Sequence, residues 1–170
     1  MPEKMLPEPW LRGTLVDVPA VGRAVLHALE LASEDLNRWC GHLSDEQMNR
    51  RPAQIAPVAF HLRHIARSLD RLLTYAEGGA LNEEQLTALK LELDPPSTRD
   101  ELFAELSSAL SSSAVRIRKL AFSDLEAIRI VGKRNLPTTL GGLLVHIADH
   151  TQRHVGQAIT TAKIMLAQPS

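Results

Sequence analysis

Four times along this 170-residue chain the predicted helical pattern recurs, and proline, glycine or a capping residue punctuates the runs. That pattern restricts the fold to helices packed on helices. Val21, Val25, Leu29, Ala32, Leu36 and Trp39 make the first apolar stripe, which opens after Pro19 and closes at Gly41. Val58, Leu62, Ile65, Leu69 and Leu72 make the second, between Pro57 and the Gly78-Gly79 pair. Thr98 and Glu101 form a capping-box pattern ahead of the third, which runs through Leu102, Leu106, Leu110, Ala114, Ile117 and Leu120. The serines between Ser107 and Ser113 resemble a linker in composition, yet they leave this stripe unbroken. A fourth helix is predicted from a cap at Thr138 to about Leu166.

The remaining segments connect or flank these helices. Asn82 to Leu93 reads as a short capped helix closed by Pro95-Pro96, bridging the long helices outside the core. Ser44 to Pro57 and Ile128 to Pro137 read as loops, and no segment shows a convincing strand pattern. Residues 1–17 carry Pro2, Pro7, Pro9 and Gly13 and are expected to form an irregular arm. The expected fold is therefore all-α: one four-helix bundle over residues 18–170, with a short extra helix between the second and third.

Composition narrows the function. A formal charge of −1 gives no global field for polyanions, so a nucleic-acid partner is not expected. The single cysteine, Cys40, excludes an intrachain disulfide, a Cys-based zinc site and an iron–sulfur cluster. No apolar run is long enough to span a membrane, and a cytoplasmic protein is the simplest expectation. What remains for chemistry is seven histidines.

Three of them, His146, His150 and His154, stand four residues apart on the predicted last helix and share a face, drifting about 40° per step. Neighbours are about 6 Å apart along the axis. Two adjacent rings can converge on one ion, but a third cannot reach it easily over bonds of about 2.0–2.1 Å. A further ligand must come from another helix. The second helix offers His64 on its stripe and His61 one turn earlier. Three neutral imidazoles leave coordination positions for water or substrate, as in a catalytic site. His27 and His42 stand alone and read as ordinary core or surface residues.

Other chemistries lack their motifs. There are no paired Glu-x-x-His motifs for a di-iron bundle, no His-Glu-x-x-His, and no glycine-rich phosphate loop; Gly141-Gly142 reads as room for close packing at a helix start. Asp149, Glu34 and Asp35 are the candidate acceptors for an imidazole N–H. Arg63, Arg67 and Arg71 line one side of the second helix, as a solvated face paired with Asp70 or Glu77 or as anion-binding groups at a pocket rim. Arg116, Arg118, Lys119, Arg129, Lys133 and Arg134 read as a wet basic surface.

The stretch His146-Ile147-Ala148-Asp149-His150-Thr151-Gln152-Arg153-His154-Val155-Gly156-Gln157 resembles the terminal-helix signature of the DinB-like superfamily, two histidines four apart followed by a Gly-Gln pair. Phe60-His61-Leu62-Arg63-His64-Ile65-Ala66 resembles that superfamily's second helix, with His64 the best match to its remaining ligand, and the early Trp10-Leu11-Arg12-Gly13 agrees. The resemblance spans essentially the whole chain. It departs at Val155, where the commonest form has arginine.

The resemblance implies a three-histidine divalent site on His64, His150 and His154, usually zinc or nickel, and often a homodimer. It also implies either a metal-dependent enzyme, such as a transferase that uses low-molecular-weight thiols on small-molecule substrates, or a non-catalytic metal-binding or stress-responsive bundle. Metal-assisted hydrolysis is the lesser enzymatic option, because no carboxylate stands where a general base is needed. The superfamily's name implies no contact with DNA.

Overall fold

The computed structural model describes residues 6–93 and 96–167, so the start of the arm and Pro95 of the expected helix stop lie outside it. Among the described residues six α-helices form in chain order: α1 Ala20–Cys40, α2 Asp45–Asn49, α3 Val58–Ala76, α4 Glu83–Lys90, α5 Arg99–Leu120 and α6 Leu140–Ala167. The long ones are α1, α3, α5 and α6, the four that the stripes predict. α1 packs on α5 and α6, and α3 packs on the same two, which sets α1 and α3 at opposite corners of the bundle. The stripes meet in the middle, where Leu36, Leu62, Leu69, Ile117 and Leu144 are fully buried. Burying each such side chain stabilises the fold by about 1.5–3 kcal/mol before the entropy of ordering is subtracted.

Local chemistry sets the helix ends. Thr98 Oγ1 accepts from the Glu101 N–H at 3.2 Å while the Glu101 carboxylate accepts from the Thr98 N–H at 2.9 Å, the reciprocal cap expected for α5. Asn82 and Gln85 close the same box at α4, a helix with no buried residue that lies outside the core. Among the described arm residues a 3-10 turn, Pro9–Leu11, is the only regular element, and Arg12 straps the arm to α1 through Glu30 and Glu34.

Three expectations need correction. Ser44 to Pro57 is not all loop, because α2 forms over five residues with Ser44 and Gln47 as a capping box. So short a helix cannot show a period, though its Ser-x-x-Gln signature is present in the sequence. Ile128 to Pro137 is largely a hairpin rather than a loop: β1 Ile128–Val131 pairs antiparallel with β2 Leu136–Thr139, Ile128 facing Thr139 and Val131 facing Leu136. Its alternation places Ile128 and Ile130 outward, the reverse of a core-facing strand, and Pro137 stands in the second strand. The turn between the strands needs positive φ at Gly132 and Asn135, residue types that tolerate it.

The third correction concerns the start of α6. Thr138 lies in β2, and it is Thr139 Oγ1 that accepts from the Gly142 N–H at 3.0 Å. Gly141 and Gly142 do serve close packing: a Cβ at either would press on Leu125 or on the Thr138 hydroxyl. Arg129 Nε donates to the Ala76 carbonyl at 2.6 Å, pinning the hairpin to the end of α3. The hairpin thus ties together the two helices that carry the histidines.

Cys40 closes α1 and is fully buried, which pushes its thiol up to about 12 from an ordinary 9.0. The folded chain therefore keeps this proton where the unfolded chain releases it. Between those two values the unfolded state binds fewer protons, so stability falls as pH rises above 9. A disulfide reagent at neutral pH is expected to leave the native protein unlabelled and to label Cys40 fully in denaturant; rapid native labelling would contradict the burial.

Candidate metal centre

The inward stripe of α6 runs through Leu144, Ile147, Thr151, Val155 and Ala158, all buried. His150 and His154 flank this stripe and are half-buried beside α3. Across from them α3 presents His64, also half-buried, and His61, which is buried. The three expected ligands come together: one ring nitrogen from each of His64, His150 and His154 lies within 4.8 Å of the other two. Ring centroids are 5.0 Å apart for His64 and His150, 4.3 Å for His64 and His154, and 4.7 Å for His150 and His154.

Two nitrogens bound tetrahedrally to one ion at about 2.0–2.1 Å stand roughly 3.3 Å apart. His64 Nε2 and His150 Nε2 are 3.2 Å apart, so the pair already has that spacing. The hydrogen bonds on the far sides of the rings fit as well. Glu92 Oε2 lies 2.6 Å from His64 Nδ1, and a carboxylate can only accept, so His64 carries its proton on Nδ1 and turns the Nε2 lone pair toward His150. Ser68 donates its hydroxyl proton to the Ile65 carbonyl, leaving an oxygen lone pair 3.5 Å from His150 Nδ1. Lone pairs converging from separate helices are what a cation would neutralise.

Electrostatics holds the rings in the ligand form. Burial, followed by the neighbouring imidazoles, lowers His61 and His150 to about 4; for His154, also about 4, the causes after burial are His64 and Arg153. All three are neutral near physiological pH, and a neutral imidazole has a free lone pair. Burial works against ionisation of Glu92, but the hydrogen bonds from His64 and Arg71, with the charge of Arg71, outweigh it and leave the carboxyl below its ordinary value.

The other histidines divide clearly. His61 Nδ1 meets His154 Nδ1 at 3.2 Å, so it touches a candidate ligand. His146 is exposed with its ring 5.5 Å from that of His150, at the edge of the cluster. His27 bonds the Thr14 hydroxyl and His42 is exposed, as expected of residues outside the site. Phe60 packs among the rings, stacked on His64 at 5.3 Å and edge-on to His61 and His154.

Several supporting residues are not those expected. Asp149 pairs with Arg153 on the surface and Glu34 with Arg12. Asp35 is raised by burial on α1 and has no bond to a site ring. The acceptor for an imidazole is Glu92, which lies between α4 and α5 where no periodicity marks it. The α3 arginines form neither a solvated face nor a free rim. Arg63 donates to the Glu92 carbonyl and to Ser97 Oγ, Arg67 to Glu105 and the Ala88 and Leu91 carbonyls, and Arg71 to Glu92 Oε1. It is Arg116 that pairs with Asp70 and Glu77.

A bundle of four long helices with an imidazole cluster between two of them, able to hold a metal ion, defines the class of protein. The chain belongs to the DinB superfamily, whose family model matches residues 28–158. That span includes all five histidines of the cluster. No curated protein matches the chain. At the position where the resemblance breaks, Val155 is 2% exposed and faces the core. Among the described residues no helix is long and apolar enough to cross a membrane.

Proposed function

We propose that this protein is a divalent-metal-dependent enzyme with His64, His150 and His154 as the ligands of one ion, zinc or nickel. Its reaction is thiol-dependent S-transfer to small electrophiles, with a low-molecular-weight thiol as co-substrate, and its working form is a cytoplasmic homodimer. The single observation that supports the metal most is the meeting of three imidazole nitrogens from α3 and α6 within 4.8 Å. The donor set is all neutral nitrogen, which suits late first-row divalent ions. All three rings are partly open to solvent, so a further ligand can approach.

When bound, such an ion supplies Lewis acidity, which lowers the pKa of a thiol toward neutrality. The chain's own residues prepare the place for it. Glu92 and Ser68 stand behind the rings of His64 and His150 as acceptors, and Phe60 stacks on the His64 ring. In the transfer the thiol proton leaves to solvent, sulfur forms a bond to the electrophilic carbon, and the leaving group departs with the displaced electron pair. Cys40 cannot be the nucleophile, because it is fully buried with a raised pKa. The thiol has to come from outside the chain.

Elemental analysis of tag-free protein supplied with zinc and nickel is expected to find about one ion per chain, lost in His150→Ala and retained in Lys133→Ala/Arg134→Ala. An empty wild type, or full occupancy in His150→Ala, would rule out the metal assignment. Metal-loaded protein mixed with small thiols and a panel of electrophiles is expected to accelerate at least one pairing, with the rate abolished by chelation. If no pairing is accelerated while the metal is present, the transferase reading fails and the metal site stands by itself.

A further inference from the structure

We propose that Glu92 is a positioning residue for this centre, fixing the proton and ring angle of His64, and that Arg63 and Arg71 hold the segment between α4 and α5 in place for that purpose. The inference rests on the metal-binding reading above and extends it to a residue far from the histidines in sequence.

Glu92 is 5% exposed, and both of its oxygens are engaged: Oε2 with His64 Nδ1 at 2.6 Å, and Oε1 as acceptor from Arg71 Nη1 at 2.7 Å. A carboxylate this buried persists only when it is paired and hydrogen-bonded. Among the described residues it is the one carboxylate bonded to a ring of the cluster. The described residues of the segment carrying it, 91–93 and 96–98, form no helix or strand, yet α3 grips them repeatedly. Arg63 Nη1 holds the Glu92 carbonyl at 2.9 Å, Arg63 Nη2 holds Ser97 Oγ at 2.7 Å, and Arg67 holds the Leu91 carbonyl at 3.3 Å. Arg63, Arg67, Arg71 and His64 all belong to α3. The helix therefore fastens a segment that returns a carboxylate to its own histidine.

The consequence is chemical. A neutral imidazole carries one N–H, and in water it is found on either nitrogen. An acceptor at Nδ1 places the proton there and leaves Nε2, 3.2 Å from His150 Nε2, as the donor to an ion. Without Glu92 the ring is free to turn or to carry its proton on Nε2, and one of three ligands is lost for that fraction of molecules. A purely structural Glu92, present only to neutralise Arg71, would leave the His64 tautomer unfixed.

Long-range 1H–15N spectra of metal-free wild type at mildly alkaline pH are expected to show His64 protonated on Nδ1. Glu92→Gln keeps the shape of the side chain but offers an amide that can also donate. In that variant the His64 signals are expected to shift toward a tautomer mixture, and zinc affinity by chelator competition to fall about ten- to a hundredfold. His64 protonated on Nε2 in the wild type overturns the proposal without any variant, which covers the case of a Glu92→Gln chain that does not fold. So does a folded Glu92→Gln that binds zinc as tightly as wild type. A wild type that binds neither zinc nor nickel removes the metal reading and this inference together, whereas normal zinc binding in both proteins removes this inference alone.

Discussion

The contact between α3 and α6 carries the candidate centre, because it is the only means by which imidazoles from distant parts of the chain reach a common point. Within α6 the spacing of His150 and His154 puts two rings near each other but cannot add a third over bonds of about 2 Å. His64 supplies the third because Leu62, Ile65 and Leu69 on α3 and Leu144, Ile147 and Val155 on α6 bury their apolar faces in the same core. The hydrophobic effect that drives this burial is indifferent to the histidines. It nevertheless sets their separation.

Half-burial then gives the rings their chemistry. Were the cluster in the middle of the bundle, no further ligand could reach it; were it on the surface, the histidines would take up protons readily near neutral pH. At the side of the apolar stripe His150 and His154 are neutral and still approachable. Desolvation is the leading cause of depression for His61, His150 and His154, and their mutual proximity reinforces it for two of them. Each buried polar partner around the cluster is satisfied by another: Ser68 by Ile65, Glu92 by Arg71, and His61 by His154. Such a network orients the candidate ligands at the cost of burying several polar groups.

The four long helices and the extra helix α4 were legible in the sequence pattern, while the choice of His64, His150 and His154 over His61 and His146 came from the family resemblance. Leu102, Leu106 and Leu110 repeat at a spacing that only a helix buries on one side, and Thr98 with Glu101 marks where it begins. The short helix at Asp45 and the hairpin at Ile128 were not legible in the same way. The first is too short for a period, and the second turns its isoleucines to solvent. For Arg63, Arg67 and Arg71 the spacing correctly showed a shared side of α3 but not what lay against it, because the segment they bind is brought there by the path from α4 to α5.

By itself the sequence determined the four long helices and α4, their order and the histidines able to ligate an ion, since periodicity, capping and imidazole chemistry are local properties. Only the tertiary structure decided which groups stand behind the rings. Glu92 is 28 residues from His64 and lies outside any helix. Whether a carboxylate touches an imidazole depends on where a connecting segment crosses the bundle, and that path is set by the packing of the whole chain rather than by spacing within any one part of it.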